Sequence, residues 1–193
     1  LAMVRKQWPA HYSRPVRGFG ARRYGLLIVG LAPGLQGANR TGRPFTGDDS
    51  GTVLFRCLHR AGIASTAASL DRRDGMTLFR TRVTNVVKCL PPANRPTGEE
   101  LRACAPYLRR ELDTLGGPRW VIALGALAHR ALLYSLDVPP AQVPFGHGSM
   151  HRLGKVTLLD SYHCSRLNMN TGRLTEDMLQ NIIDTAAQAI RTR

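Results

Sequence analysis

Four short apolar runs, at 26–31, 82–87, 120–124 and 156–159, are each closed by a loop rich in Gly, Pro or polar residues, with helix-length segments between them. Apolar runs of this length bounded by turn signals read as buried strands. Strand alternating with helix selects an α/β fold, a three-layer α/β/α sandwich around a short, mainly parallel sheet. Helices are expected at 51–61, ended by Gly62, and at 98–115, with Thr97 as N-cap, Glu100 at the capping-box position and Gly116 as the stop. Two more are expected at 126–136 and at 176–191, the last capped by Thr175 with Glu176 and Asp177 in its first turn. Residues 1–24 show no clear period and are expected to form an extended lead-in across the domain, and VPPAQVPFGHG a long connection.

The 193 residues suffice for one domain, which at this size buries roughly 70% of the surface of the unfolded chain. A single domain over 1–193 is therefore expected. No apolar run approaches the length needed to cross a bilayer, so no membrane association is expected. Lys and Arg total 27 against 13 Asp and Glu, a formal charge of +14. Such a surplus, spread along the chain, suits a polyanionic partner, although charge that only maintains solubility has the same composition. The Arg excess over Lys fits phosphate recognition, and a GC-biased genome gives the same excess. Cys57, Cys89, Cys104 and Cys164 contain no closely spaced pair, which argues against a disulfide framework. The chain begins at Leu1, and residues missing upstream are one expectation.

In parallel sheets, ligands bind beyond the carboxyl ends of the strands. Three polar loops, GLAPGLQGANRTGRPFTGD, KCLPPANRPT and SYHCSRLNMNTGR, are expected to leave the sheet at that edge and share one pocket. The glycines of the first permit turns closed to larger residues and let a ligand approach the backbone. These loops carry Phe45 as a flat apolar surface, Asp48 as a carboxylate, Asn85 and Asn94 as paired donors and acceptors, and His163 as a neutral donor. No Walker sequence, dinucleotide glycine spacing or nucleophile elbow is present. What remains suits a planar heterocycle: a ring to stack on, an amide to read an edge and a donor for developing negative charge.

The segments GLAPGLQGANRTGRPFTGD, TNVVKCLPPANRPT and SYHCSRLNMNTGRLT resemble the motifs of the uracil-DNA glycosylase superfamily, most closely its type-B branch, family five. The likeness runs from RPVRGFG to the terminal helix. It implies damaged single- or double-stranded DNA as partner, an extruded uracil, hypoxanthine, xanthine or other deaminated base, and N-glycosidic hydrolysis to an abasic site. It further implies a monomeric, cytoplasmic enzyme. Asp48, from the matching FTGD, would orient water and stabilise the sugar cation; helix capping is its alternative role. His163, in the HPS-like motif, would donate to a base carbonyl. Phe45 would stack on the base, with Gly30 and Ala32 beside it. Asn85 and Asn94 both match functional positions, one as base reader and the other as a catalytic-loop amide. Ser165, Arg166, Leu167 and Asn168 form the expected wedge and phosphate loop, with Leu167 as the wedge. Arg40, Arg43 and Arg173 are expected at phosphates.

Two departures from the family pattern stand out. Cys164 replaces the usual Pro, and the GLAPG turn carries Leu31 and Ala32 where other branches have an acid or amide. The resemblance also implies a [4Fe-4S] cluster in full-length relatives, held by four cysteines. Cys89 and Cys104 match two of these ligands; the other two have no counterpart, so an incomplete set is expected. Strand cleavage would need a lysine nucleophile, and Lys88, the nearest, is not assigned that role. The alternatives are a non-catalytic nucleic-acid-binding protein of the same fold, or an enzyme of free nucleosides, which leaves +14 unexplained.

Overall fold

A computed structural model describes residues 2–191, and for residues 2 and 115–118 the backbone alone. In chain order the elements are α1 (Ala2–Gln7), β1 (Phe19–Gly20), β2 (Tyr24–Gly30), α2 (Ala38–Thr41), α3 (Asp49–Arg60) and β3 (Thr81–Asn85). There follow α4 (Gly98–Asp113), β4 (Leu115–Leu124), α5 (Ala126–Ser135), β5 (Met150–Leu153), β6 (Val156–Ser161), α6 (Arg166–Asn170) and α7 (Glu176–Arg191). The sheet order is β1-β3-β2-β4-β6-β5. Its four central strands are parallel, and β1 and β5 pair antiparallel at the two edges.

Strand periodicity explains the three layers. Every residue of β2 is buried, and alternate side chains serve opposite faces. Leu26 and Ile28 join Val83, Ile122 and Leu159 beneath α3 and α7, whereas Leu27 and Val29 join Val121 and Leu158 beneath α4 and α5. The α4 start shows the full capping box: Glu100 N donates to Thr97 Oγ1 at 3.2 Å, and Thr97 N to Glu100 Oε2 at 2.8 Å. Thr175 Oγ1 accepts from Met178 N at 3.2 Å at the head of α7.

Three expectations need correction. The lead-in is not wholly extended: it holds the six-residue α1 and the two-residue β1, both too short to leave a periodic signal. Helix α4 ends at Asp113 with Thr114 as its cap, before the expected stop at Gly116. Strand β5 lies where only a connection was expected; its MHRL buries alternate residues only partly, and pairing with β6 specifies it.

The topology places the site. From β2 the chain crosses through α3 to β3 on one side, while β4 leads through α5 towards β6 on the other. Adjacent β2 and β4 thus send their following segments in opposite directions, which opens a crevice at their carboxyl ends.

Candidate active site

That crevice is a cavity of about 930 Å³, lined from four strand ends: residues 31–38 after β2, Asn85 and Asn94 at and after β3, residues 125–128 after β4, and Tyr162, His163 and Ser165 after β6. Phe45, Asp48, Phe145 and Arg173 also line it. The three loops expected to converge do so, and the segment after β4 is a fourth contributor that the sequence analysis missed.

Phe45 and Asn85 meet at the end of β2. A methyl group at Gly30 would sit 2.5 Å from both Asn85 Oδ1 and Phe45 Cζ, so only a residue without a side chain lets the amide and the ring close on the strand. Asn85 is 4% exposed, yet its side-chain amide has no hydrogen-bond partner among the described residues. The amide faces the cavity that Asn85 lines, so its donor and acceptor are available to a ligand. Phe45 adopts φ 52°, a left-handed conformation rare for an aromatic residue and the kind of strain that accumulates at binding sites. Ala32 lines the cavity beside them, while Asn94 lies exposed at its mouth on a turn with φ 58°.

Asp48 has two functions available because its oxygens face different ways. Oδ1 accepts from Gly51 N at 2.9 Å and caps α3, the alternative role noted above. Oδ2 has no hydrogen-bond partner among the described residues and faces the turn at Gly34 and Gly37; a side chain on Gly37 would collide with it. The cap fixes the carboxylate and leaves one oxygen free at the cavity.

His163 stands across the cavity on the segment after β6. Burial pushes its imidazole below the ordinary His range, and the Asp48 charge opposes that shift in part. A neutral ring retains one N–H donor at pH 7. Its segment is held by Asn168 Nδ2, which donates to His163 O at 2.8 Å, and by Cys164, whose thiol donates to Ser50 O at 3.4 Å. Burial pushes that thiol up to about 12, so it remains a protonated tether between the His163 segment and the start of α3. Tyr162 packs between Arg173, which was expected at a phosphate, and the ring of His147, which was not foreseen. Arg173 lies 4.7 Å over its face, and His147 stacks on it at 5.1 Å while accepting from Tyr162 N at 3.2 Å. Behind them, His129 meets Asp160 at 2.7 Å and Val143 O at 2.9 Å, and Asp160 also meets His151 at 3.3 Å. This buried cluster braces the connection that carries Phe145 into the cavity.

The remaining candidates separate by exposure. Leu167 is 72% exposed at the rim on α6, whose first turn Ser165 caps by accepting from Asn168 N at 3.4 Å. Arg166 is exposed, 3.8 Å from Asp49. Arg40 is exposed too, but its guanidinium donates to Gln36 O at 2.7 Å and Gly47 O at 2.9 Å, which braces the first loop. Arg43 is a correction. It is 3% exposed, pairs with Asp74, donates to Ser69 and Thr46, and lies over Phe19; no phosphate can reach it. Burial pushes the Asp74 carboxyl up, but hydrogen bonds from Arg43, Met76 N and Leu70 N outweigh it and bring the group down to about 2. Asp74 therefore adds stability that is present above the ordinary carboxylate range and lost as pH falls towards 2. Arg43→Ala leaves that carboxylate partly buried without its partner. The expected cost is about 3 kcal/mol in urea unfolding, with the acid-dependent part of the stability reduced.

Lys88 is buried and spends its ammonium on Thr84 Oγ1, Asn85 O and Glu111 Oε2, at 2.7, 2.8 and 2.8 Å. It fixes the backbone of Asn85 and does not line the cavity. Cys89 is pushed up by burial and by neighbouring Cys104, so those two thiols share one neighbourhood. Cys57 and Cys164 pack in the α3/α7 layer, across the sheet from Cys104. No group of three or more potential metal ligands exists among the described residues. Two adjacent thiols do not fit a cluster that takes four, and no chemistry here is routed through one.

Comparison with known proteins finds relatives along most of the chain. A Type-5 uracil-DNA glycosylase of Thermus thermophilus is 47% identical over 174 residues, covering 90% of this chain and 79% of the relative. Proteins of the same name from Mycobacterium bovis and Pyrobaculum aerophilum are 45% and 43% identical, covering 91% and 92% of this chain and 67% and 77% of theirs. The crystal structure of wild-type SMUG2 from Pedobacter heparinus shares the fold at a TM-score of 0.52 and 14% identity, covering 88% of this chain and 76% of that one. With residues 17–187 matching its family description, the chain belongs to the uracil DNA glycosylase superfamily.

Proposed function

We propose that the protein is a monofunctional DNA glycosylase of the type-five branch, acting as one domain and as a monomer in the cytoplasm. It excises uracil from DNA, and its open cavity extends the range to other deaminated bases such as hypoxanthine and xanthine. One observation carries the reading: the cavity-facing Asn85 amide, which no described protein group engages, and the Phe45 ring close together on Gly30, in the same cavity as Asp48 and His163.

An extruded base stacks on Phe45, and the Asn85 amide reads its polar edge. The bond between sugar C1′ and the base nitrogen then breaks with its electron pair moving to the base. Positive charge grows on the deoxyribose and negative charge on the leaving base. His163 donates to a base carbonyl oxygen and disperses the negative charge. Asp48 Oδ2 stabilises the sugar cation and orients a water, whose oxygen bonds to C1′ while its proton passes to the carboxylate and then to solvent. The departing base anion takes up a proton from solvent. Leu167, projecting from the rim, fills the gap left in the stack. No lysine amine faces C1′ from among the cavity-lining residues, which suits hydrolysis without strand cleavage. An end-labelled oligonucleotide with one uracil should, after incubation and alkali, break at that position and nowhere else. An intact strand would overturn the reading in favour of a non-catalytic DNA-binding protein.

A further inference from the structure

A second groove, of about 370 Å³, adjoins the cavity and shares Leu31 and Leu127 with it. It lies between the start of α4 and the outer face of α5. Its floor is apolar, from Val86, Leu101 and Ala131, and Tyr134 stands beside it 54% exposed. Two exposed arginines, Arg102 and Arg130, line it, and neither makes an ion pair among the described residues.

We propose that this groove is a subsite for an unpaired nucleotide of the strand that carries the extruded base, so that single-stranded DNA gains a contact that duplex DNA does not make. The inference rests on the glycosylase reading for the identity of the neighbouring ligand. Three features select the occupant. The volume suits one flat ring and is too small for the row of anchors by which a protein helix docks. An exposed aromatic beside unpaired guanidinium groups is how non-sequence-specific single-strand sites combine stacking with phosphate contact. The groove opens directly beside the cavity, so a strand leaving the cavity over Leu127 enters it without crossing other surface. A nucleotide that remains paired is held in its own stack and cannot turn its face to Tyr134.

The test uses the whole chain with Tyr134→Ala and the double variant Arg102→Ala/Arg130→Ala, none of which lines the reaction cavity. Binding to an undamaged single-stranded 20-mer is read by fluorescence anisotropy, and excision is read on uracil in single-stranded and duplex forms. Tyr134→Ala should weaken single-strand binding about ten-fold. The double variant should flatten the slope of log K against log salt by about 1.4. Both should lower kcat/KM on single strands and leave duplex excision and thermal midpoint unchanged. Equal loss on duplex and single strand, or unchanged single-strand binding, overturns the subsite while uracil excision by the unaltered protein upholds the glycosylase reading. If the unaltered protein excises nothing, the anisotropy result still decides whether the groove takes single-stranded nucleic acid.

Discussion

Asp48→Asn should lower turnover on uracil-containing DNA about 10³-fold while changing the thermal midpoint little. The substitution separates the two roles that the carboxylate combines. Oδ1 caps α3 through Gly51 N, and an Asn side-chain oxygen accepts the same hydrogen bond with equal preference at that position. Oδ2 faces the cavity as an anion, and the amide removes that charge where positive charge develops on the sugar. Asp48→Ala should lose the same activity and in addition about 1 kcal/mol of stability, because the cap is gone. The measurements are single-turnover excision, anisotropy with the same DNA, and thermal unfolding. Asp48→Asn should retain salt-sensitive DNA binding. A variant that is stable, binds DNA and turns over normally would show that Asp48 serves only as a cap.

His163→Ala should cost about 10²-fold in the single-turnover rate, the usual scale for loss of one donor to a developing anion. The effect should fall mainly on the rate and less on DNA affinity, because the interaction strengthens only as the base leaves. The pH behaviour follows from burial. The folded imidazole is held below its ordinary value, so it is neutral through pH 8 and 7 and below about 6.5 before it protonates. The unfolded chain binds that proton first as pH falls, so this residue's cost to stability builds from about 6.5 down to its folded value and persists below it. In a ¹H–¹⁵N NMR titration of the ring, the midpoint should lie below that of an exposed histidine. Because Asp48 partly opposes the downward shift, Asp48→Asn should lower the midpoint further. A midpoint above about 7 would mean that a cationic ring predominates at neutral pH, and the neutral-donor account of leaving-group stabilisation would fail.

The unusual Cys164 takes on a definite part in this geometry. At the position where the family motif led to the expectation of Pro, this chain has a buried thiol hydrogen-bonded to Ser50 O. That contact links the His163 segment to the helix start that Asp48 caps, so the two halves of the site are tied behind the cavity and not only through the ligand.

Much of the site could be read before any coordinates. Phe45 and Asp48 stand in one long loop with a distinctive glycine spacing, and His163 follows a strand in a polar loop, so the strand–helix alternation puts all three at one edge of the sheet. The two asparagines could not be ranked that way. Asn85 is the last residue of β3 and packs against Phe45, whereas Asn94, nine residues on, is carried out to the exposed mouth by a turn. Arg40 and Arg43 present the same difficulty. They are three residues apart in one loop, and only the position of Asp74, 31 residues after Arg43, draws one inside and leaves the other at the surface. Tyr162 and Phe145 were missed because an aromatic beside a strand end gives no sign of whether it faces the core or a cavity.

The amino-acid sequence by itself determined the layered α/β architecture, the capped helix starts and the edge of the sheet where chemistry belongs. These rest on local periodicity, turn residues and capping, which act over a few positions and are written where they operate. Only the tertiary structure decided which side of β2 each later strand joins, and therefore which loops meet. It also decided which amide packs against Phe45, which arginine is sequestered and where Asp48 Oδ2 points. Those outcomes depend on contacts between residues far apart in the chain, whose partners no local pattern names.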